Sequence, residues 1–363
     1  MSNVDAELRP GLEGVVAFET EIAEPDREGG SLRYRGVDIE ELVGRVPFEK
    51  VWGLLVDESL EPGLPASYCE LPIRTGGYMS DIQAGLAALS GRWGLRQLID
   101  IDEQGARDDL ARLSAATLSL AAQSARGEQE PVPEARVHEG ETAAERFLLT
   151  WRGEVDERHA KAIDTYWICT AEHGLNASTF TARVVASTGA DCGAVLAAAV
   201  GALSGPLHGG APARVLPMLD AVAEQGDAER WVRDALGRGE RIMGFGHRVY
   251  RAEDPRARLL RQTARELVSP RVEVAEALEK AALAALAERH PERVLATNVE
   301  FWSAVVLDVA EVPPPLAPAM FACSRTAGWS AHVLEQKRTG RLIRPSARYV
   351  GPGERSLGDL DGR

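Results

Sequence analysis

The sequence predicts an all-α fold on three observations: Ala, Leu, Arg and Glu dominate, apolar residues recur three and four apart, and clear period-two alternation is nearly absent. The 363 residues suffice for a large core and, by the usual relation of length to domains, for two lobes. Taken in order, the Gly- and Pro-rich start at 11–36 breaks the helical pattern and admits a short hairpin. Residues 108–124, DDLARLSAATLSLAAQS, show the helical spacing plainly, and 128–141 is a polar stretch. Further helices are expected over 158–188, 190–203, 213–224, 228–236, 255–267, 272–289, 299–310 and 315–339, before a Pro-rich tail after Pro345. Two breaks carry polar residues instead of plain turns: Ser204-Gly205-Pro206-Leu207-His208-Gly209-Gly210 and Met243-Gly244-Phe245-Gly246-His247. Each sets a histidine where a helix N-terminus can supply free N–H groups and its positive end, which keeps an imidazole neutral.

A formal net charge of -14 argues against nucleic acid or an anionic membrane as partner, since both are bound chiefly through surplus Lys and Arg. The longest uncharged apolar run, 193–203, is too short to cross a bilayer, and the polar start MSNVDAELRP lacks a secretory pattern, so a cytoplasmic protein is expected. Cys69, Cys169, Cys192 and Cys323 lie far apart with no Cys-x-x-Cys pair, and buried free thiols are the expectation.

Against this acidic background, 241–261 gathers six arginines and only two acids, Glu253 and Asp254, around the glycine-flanked His247. Arginine's planar fork grips carboxylates and phosphates at two points, so the segment reads as a pocket for a small anion with an acid or base inside it. A second basic cluster comprises Arg325, Lys337, Arg338, Arg341, Arg344 and Arg348. Lys337, Arg338 and Arg341 fit a solvated helix end, whereas Arg325 lies in an apolar stretch where an unpaired guanidinium is costly. Its partner is either an internal acid or a substrate.

Among the histidines, His138, His159 and His290 have polar neighbours and read as surface residues, and His332 reads as structural. His173, His208 and His247 lie beside glycine or in helix breaks and are the functional candidates. Glu300, after Thr297-Asn298-Val299 and before Phe301-Trp302, is set into an apolar helix start, where burial raises a carboxyl pKa and the helix end lowers it. A tuned general base and a structural N-terminal acid are both open readings. No His-x-x-x-His or His-Glu-x-x-His spacing supports a metal site, and the Gly244-x-Gly246 pair lacks the third glycine and the preceding strand of a dinucleotide site.

Placed in order, these pieces resemble the citrate synthase family over nearly the whole chain. The matching segments are Gly11-Leu12-Glu13-Gly14-Val15, Leu32-Arg33-Tyr34-Arg35-Gly36 and Glu172-His173-Gly174-Leu175-Asn176-Ala177-Ser178-Thr179-Phe180. They continue with Gly205-Pro206-Leu207-His208-Gly209-Gly210-Ala211, Gly244-Phe245-Gly246-His247-Arg248-Val249-Tyr250, Asp254-Pro255-Arg256, Asn298-Val299-Glu300-Phe301, Ser324-Arg325 and Arg344-Pro345. The resemblance implies condensation of acetyl-CoA with oxaloacetate and hydrolysis of the thioester, without metal or any cofactor beyond the thioester substrate. It also implies a large helical domain (1–209 and 315–363), a smaller mobile domain (210–314) closing over the site, and an intertwined homodimer.

By the same resemblance His208 would stabilise the enol, Glu300 remove the methyl proton, and His247 hydrogen-bond the ketone and act as acid. His173, Arg256, Arg325 and Arg344 would hold the oxaloacetate carboxylates, Arg344 from the partner subunit. Arg241, Gly244, Gly246 and Arg251 would meet CoA. The chain departs from the family at Glu300, where most members carry Asp. Two other readings stand beside citrate formation: propionyl-CoA as substrate, giving 2-methylcitrate, and an impaired relative that only binds oxaloacetate or CoA.

Overall fold

The computed structural model describes residues 8–26, 30–209, 214–246, 253–292 and 295–357. Near the start, strands β1 (Ala23–Pro25), β2 (Leu32–Tyr34) and β3 (Val37–Asp38) form an antiparallel meander, with Ala23 opposite Tyr34 and Tyr34 opposite Val37. The expected hairpin thus gains a third strand. Leu32 and Tyr34 point into the core while Arg33 lies between them on the outer side, the alternation a half-buried strand requires. The Tyr34 hydroxyl lies 3.0 Å from the Ile168 carbonyl and 3.1 Å from that of Glu172, planting the sheet on a helix break that matters below.

Helices carry the rest. They are α1 (Ile39–Leu42), α2 (Phe48–Asp57), α3 (Tyr78–Trp93), α4 (Glu103–Arg126), α5 (Glu134–Val137), α6 (Ala143–Arg152), α7 (Glu157–Thr170), α8 (Ala177–Ser187) and α9 (Cys192–Leu203). There follow α10 (Val215–Gln225), α11 (Ala228–Gly237), α12 (Pro255–Glu266), α13 (Val272–Arg289), α14 (Val299–Val309) and α15 (Ala317–Thr339). Side-chain caps start many of them, including Asp102, Asp156, Asn176, Asp191, Asp227, Asp254 and Asn298, each accepting one or two of the N–H groups that a helix start leaves unpaired. Thr142 and Glu145 close a reciprocal capping box on α6.

One expectation is corrected: 158–188 is not a single helix. Gly174 takes φ +68°, which a helix cannot continue through, and Asn176 restarts the chain as the cap of α8, accepting the Thr179 N–H at 3.1 Å. The expected helices also omitted α2, α3 and α6. The tail after α15 is extended, exposed chain.

At the centre runs α15. Ala319, Met320, Ala322, Cys323, Ala327, Trp329 and Val333 are all fully buried, so the helix is enclosed on every side, packing against α2, α4, α7, α8 and α9. Helices α10 to α14 pack on one another, and α12 and α14 also rest on α7. The four thiols are free and buried. Among the described residues no helix is long and apolar enough to cross a membrane.

Candidate active site

The break between α7 and α8 is stitched to α15. Arg325 Nε donates to the Thr170 carbonyl at 2.7 Å, and the Gly328 N–H reaches the Ala171 carbonyl at 3.3 Å. Arg325 is 3% exposed, and its Nη1 has no hydrogen-bond partner among the described residues. Burial pulls the guanidinium below its ordinary pKa; the charge of Glu172 opposes this through space. Its face covers the Phe321 ring at 4.7 Å from the centroid. A buried donor left unpaired costs about 1–3 kcal/mol, so this atom is built to receive an acceptor. His173 is half-buried next door, its N–H donated to the Glu172 Oε1 at 2.8 Å.

The turn after α9 places His208 edge-on to Phe321 as well, with ring centroids 6.2 Å apart. A helix terminus serving His208 is the start of α8. His208 Nε2 lies 2.9 Å from Ser178 Oγ and 3.4 Å from the Ser178 N–H, and Trp329 Nε1 donates to the same hydroxyl at 3.2 Å. A backbone N–H can only donate, which makes Nε2 an acceptor and assigns the ring hydrogen to Nδ1. Burial first and the Arg325 charge second push the imidazole pKa down to about 4, so it is neutral at pH 7 and can donate from Nδ1.

A third segment is laced to the start of α14. Gly246 N–H donates to the Ala296 carbonyl at 2.7 Å, Asn298 N–H to the Gly244 carbonyl at 2.9 Å, and Asn298 Nδ2 to the Gly246 carbonyl at 3.1 Å. Gly244 has φ +91°, and a Cβ there would fall 2.7 Å from the Phe301 Cβ, so only glycine lets the loop lie this close. Asn298 Oδ1 accepts the Glu300 N–H at 3.0 Å, which sets Glu300 in the first turn of α14. Burial raises the Glu300 carboxyl pKa, with the positive charge of Arg256 opposing and Asp254 adding to the rise. Arg256 is 2% exposed; its Nε and Nη2 donate to the two Asp254 oxygens at 2.9 and 2.8 Å, and Asp254 Oδ2 also accepts the Val299 N–H at 3.1 Å. One carboxylate thereby aims the guanidinium and anchors the helix that carries Glu300.

The structure therefore gathers His208 and Arg325 about Phe321 and His173 beside Glu172. Arg256 lies near enough to act electrostatically on both Glu300 and Arg325. His247 and Arg251 lie outside the described residues. Arg241 is exposed, and Arg344 is exposed in the tail beyond α15. The sequence reading did not single out Phe321, Ser178 and Trp329, nor the structural roles of Asp254 and Asn298; only the capping residue types offered a signal for the last two. Among the described residues no group of three or more His, Cys, Asp or Glu side chains could hold a metal ion.

The chain is similar to known proteins over nearly its whole length. The family described as "Citrate synthase, C-terminal domain" matches residues 11–346. A "Putative citrate synthase 2" of Mycobacterium tuberculosis is 61% identical, across 100% of this chain and 98% of that protein. A 2-methylcitrate synthase of Shewanella oneidensis is 31% identical, across 98% of each. A solved ternary complex of carboxymethyl coenzyme A and oxaloacetate with the citrate synthase of Thermoplasma acidophilum superposes with a TM-score of 0.84 at 27% identity, covering 98% of this chain and 100% of that one.

Proposed function

The chain belongs to the citrate synthase family, a family of acyltransferases, and from that premise we propose that it condenses acetyl-CoA with oxaloacetate and water to give citrate and CoA. The observation that carries the proposal is the buried Arg325, whose Nη1 lacks a partner among the described residues and which shares contact with Phe321 with a neutral imidazole. A small dianion supplies what that guanidinium lacks.

In this reading the Glu300 carboxylate takes a proton from the thioester methyl group, and His208 Nδ1–H donates to the oxygen on which negative charge develops. Neither acts well alone, because the methyl proton is weakly acidic until its conjugate oxyanion is hydrogen-bonded. The enol carbon then attacks the ketone of oxaloacetate, whose oxygen receives a proton from His247. Water hydrolyses the resulting citryl thioester and CoA departs. His173, Arg256 and Arg325, with Arg344 from the partner of a homodimer, hold the two carboxylates. Such positioning is worth about 7–11 kcal/mol of barrier. Arg241, Gly244, Gly246 and Arg251 meet CoA, and closure of 210–314 over the site excludes water until the new bond has formed.

The resemblance implies Asp as the base in most of the family, and Glu300 reaches one methylene further. The lacing of Gly244 and Gly246 to the start of α14 sets the backbone that must accommodate this extra length. Propionyl-CoA is the second reading, favoured by the 2-methylcitrate synthase relative; one methylene discriminates by only about 1–3 kcal/mol. Thiol release from acetyl-CoA and from propionyl-CoA, each with oxaloacetate, tests both. A higher kcat/KM for acetyl-CoA is expected. The reverse order makes the enzyme a 2-methylcitrate synthase, and no release from either thioester leaves only a binding protein.

A further inference from the structure

Beside the candidate site, α15 helps to bury a polar group that the chemistry above does not use. Glu172 is 0% exposed, and His332 and Arg183 are each 1% exposed. Arg183 Nη1 lies 3.0 Å from His332 Nδ1 and pairs with the Glu335 carboxylate, while its Nε donates to Gln336 Oε1 at 3.1 Å. A guanidinium has no acceptor, so His332 Nδ1 must be the accepting nitrogen and the ring hydrogen sits on Nε2. That nitrogen has no hydrogen-bond partner among the described residues and faces Glu172 Oε1 at 3.5 Å, an ion-pair distance rather than a hydrogen bond. The same oxygen accepts the His173 N–H at 2.8 Å. The other, Glu172 Oε2, has no hydrogen-bond partner among the described residues, and space for it exists because position 328 is glycine: a Cβ there would fall 1.9 Å away.

Buried charge of this kind adds little to stability, because well-packed apolar residues of similar volume often hold a core as well or better. Its placement is what distinguishes it: Glu172 precedes His173 in the chain and acts through space on Arg325. We infer that Glu172 and His332 are positioning residues for the oxaloacetate subsite, fixing the His173 backbone and offsetting the charge of Arg325. The inference rests on the function proposed above.

Steady-state CoA release by the full chain tests it with three substitutions. His332→Gln keeps an N–H near the Nε2 position, His332→Asn reaches only the Nδ1 side, and His332→Ala reaches neither. Removing the Nε2–H should raise KM for oxaloacetate about tenfold or more in the Ala and Asn variants, the size expected for a buried contact to a charged group. KM for acetyl-CoA should stay within about twofold, and His332→Gln should restore oxaloacetate KM to within about threefold. A merely structural role would lower kcat or raise both KM values alike. That result, or no change, or a Gln variant no better than Asn, overturns the inference. If the Ala variant does not fold, the Asn and Gln pair carries the comparison. If the unsubstituted chain releases no CoA, it is the proposed function that fails. The oxaloacetate-induced rise in melting temperature then reads the same subsite, and its absence, or an equal rise in all variants, refutes the inference.

Discussion

Replacing Gly328 in α15 by alanine is expected to destabilise the protein, while the same replacement at Gly91 in α3 stabilises it. Both glycines sit in helices, where alanine gains about 0.4–1 kcal/mol by restricting the unfolded chain. Around Gly91 a new Cβ would meet nothing within 4 Å, so that gain stands alone. At Gly328 the Cβ would fall 1.9 Å from Glu172 Oε2 and 2.7 Å from the Ala171 carbonyl. The carboxylate must swing away and lose its 2.8 Å bond to the His173 N–H. Overpacking costs about 1–3 kcal/mol and loss of a charged hydrogen bond about 1.5–3 kcal/mol, so the net change is a loss of about 2–5 kcal/mol. Denaturant unfolding of both variants measures the two numbers directly. A Gly328→Ala protein as stable as the original would show that Glu172 is not wedged where these distances place it.

Two further outcomes follow from the ionisable groups. Burial raises the Glu300 carboxyl, and the base must be deprotonated to act, so kcat/KM should fall on acidification through a pKa above the ordinary glutamate value of about 4.3. Glu300→Gln should abolish CoA release, and undiminished release would refute its role as base. Asp164, pushed up to about 7 by burial, accepts the Phe48 N–H at 2.8 Å. Its folded pKa is raised, so the native state keeps a proton that the unfolded chain surrenders from about pH 4 upward. The Asp164 contribution to stability should therefore fall as pH rises from about 4 to 7, against the opposite contribution of His208, whose folded pKa is lowered to about 4; Asp164→Asn, which keeps the acceptor, should remove the falling part, and a slope in thermal melts identical to that of the original protein refutes the assignment.

Helix starts were legible in the sequence at some capping residues, as at Asp254 before Pro255 and Asn298 before Val299, but not at Asp102, Thr142 or Asn176. The break at Gly174 was written in the sequence too, yet helical spacing on both sides masked it until the positive φ of that glycine was seen. For the candidate site, residue type and local context were enough to single out His208, Arg325 and Glu300. What surrounds them was not legible, because the partners come from distant parts of the chain. Ser178 is 30 residues from His208 and 151 from Trp329, and nothing local to any of the three announces that they share a hydroxyl. Enclosure and the Arg325 charge, which lower the His208 pKa, also come from distant parts of the chain that local sequence does not reveal.

The lacing between the Gly244 loop and Asn298 also bears on how this enzyme can change length. The segments on either side of α12 and α13 meet at one neck, tied by backbone bonds at Gly244 and Gly246 and by the Asp254 bridge to Val299. Extra residues between α12 and α13, for example, lengthen a loop whose closure entropy rises by only about 0.6 kcal/mol per doubling. A single residue gained or lost within the neck would instead shift its pairing register and carry Glu300 out of line. Insertions and deletions should accordingly be tolerated between α12 and α13 and selected against at the neck.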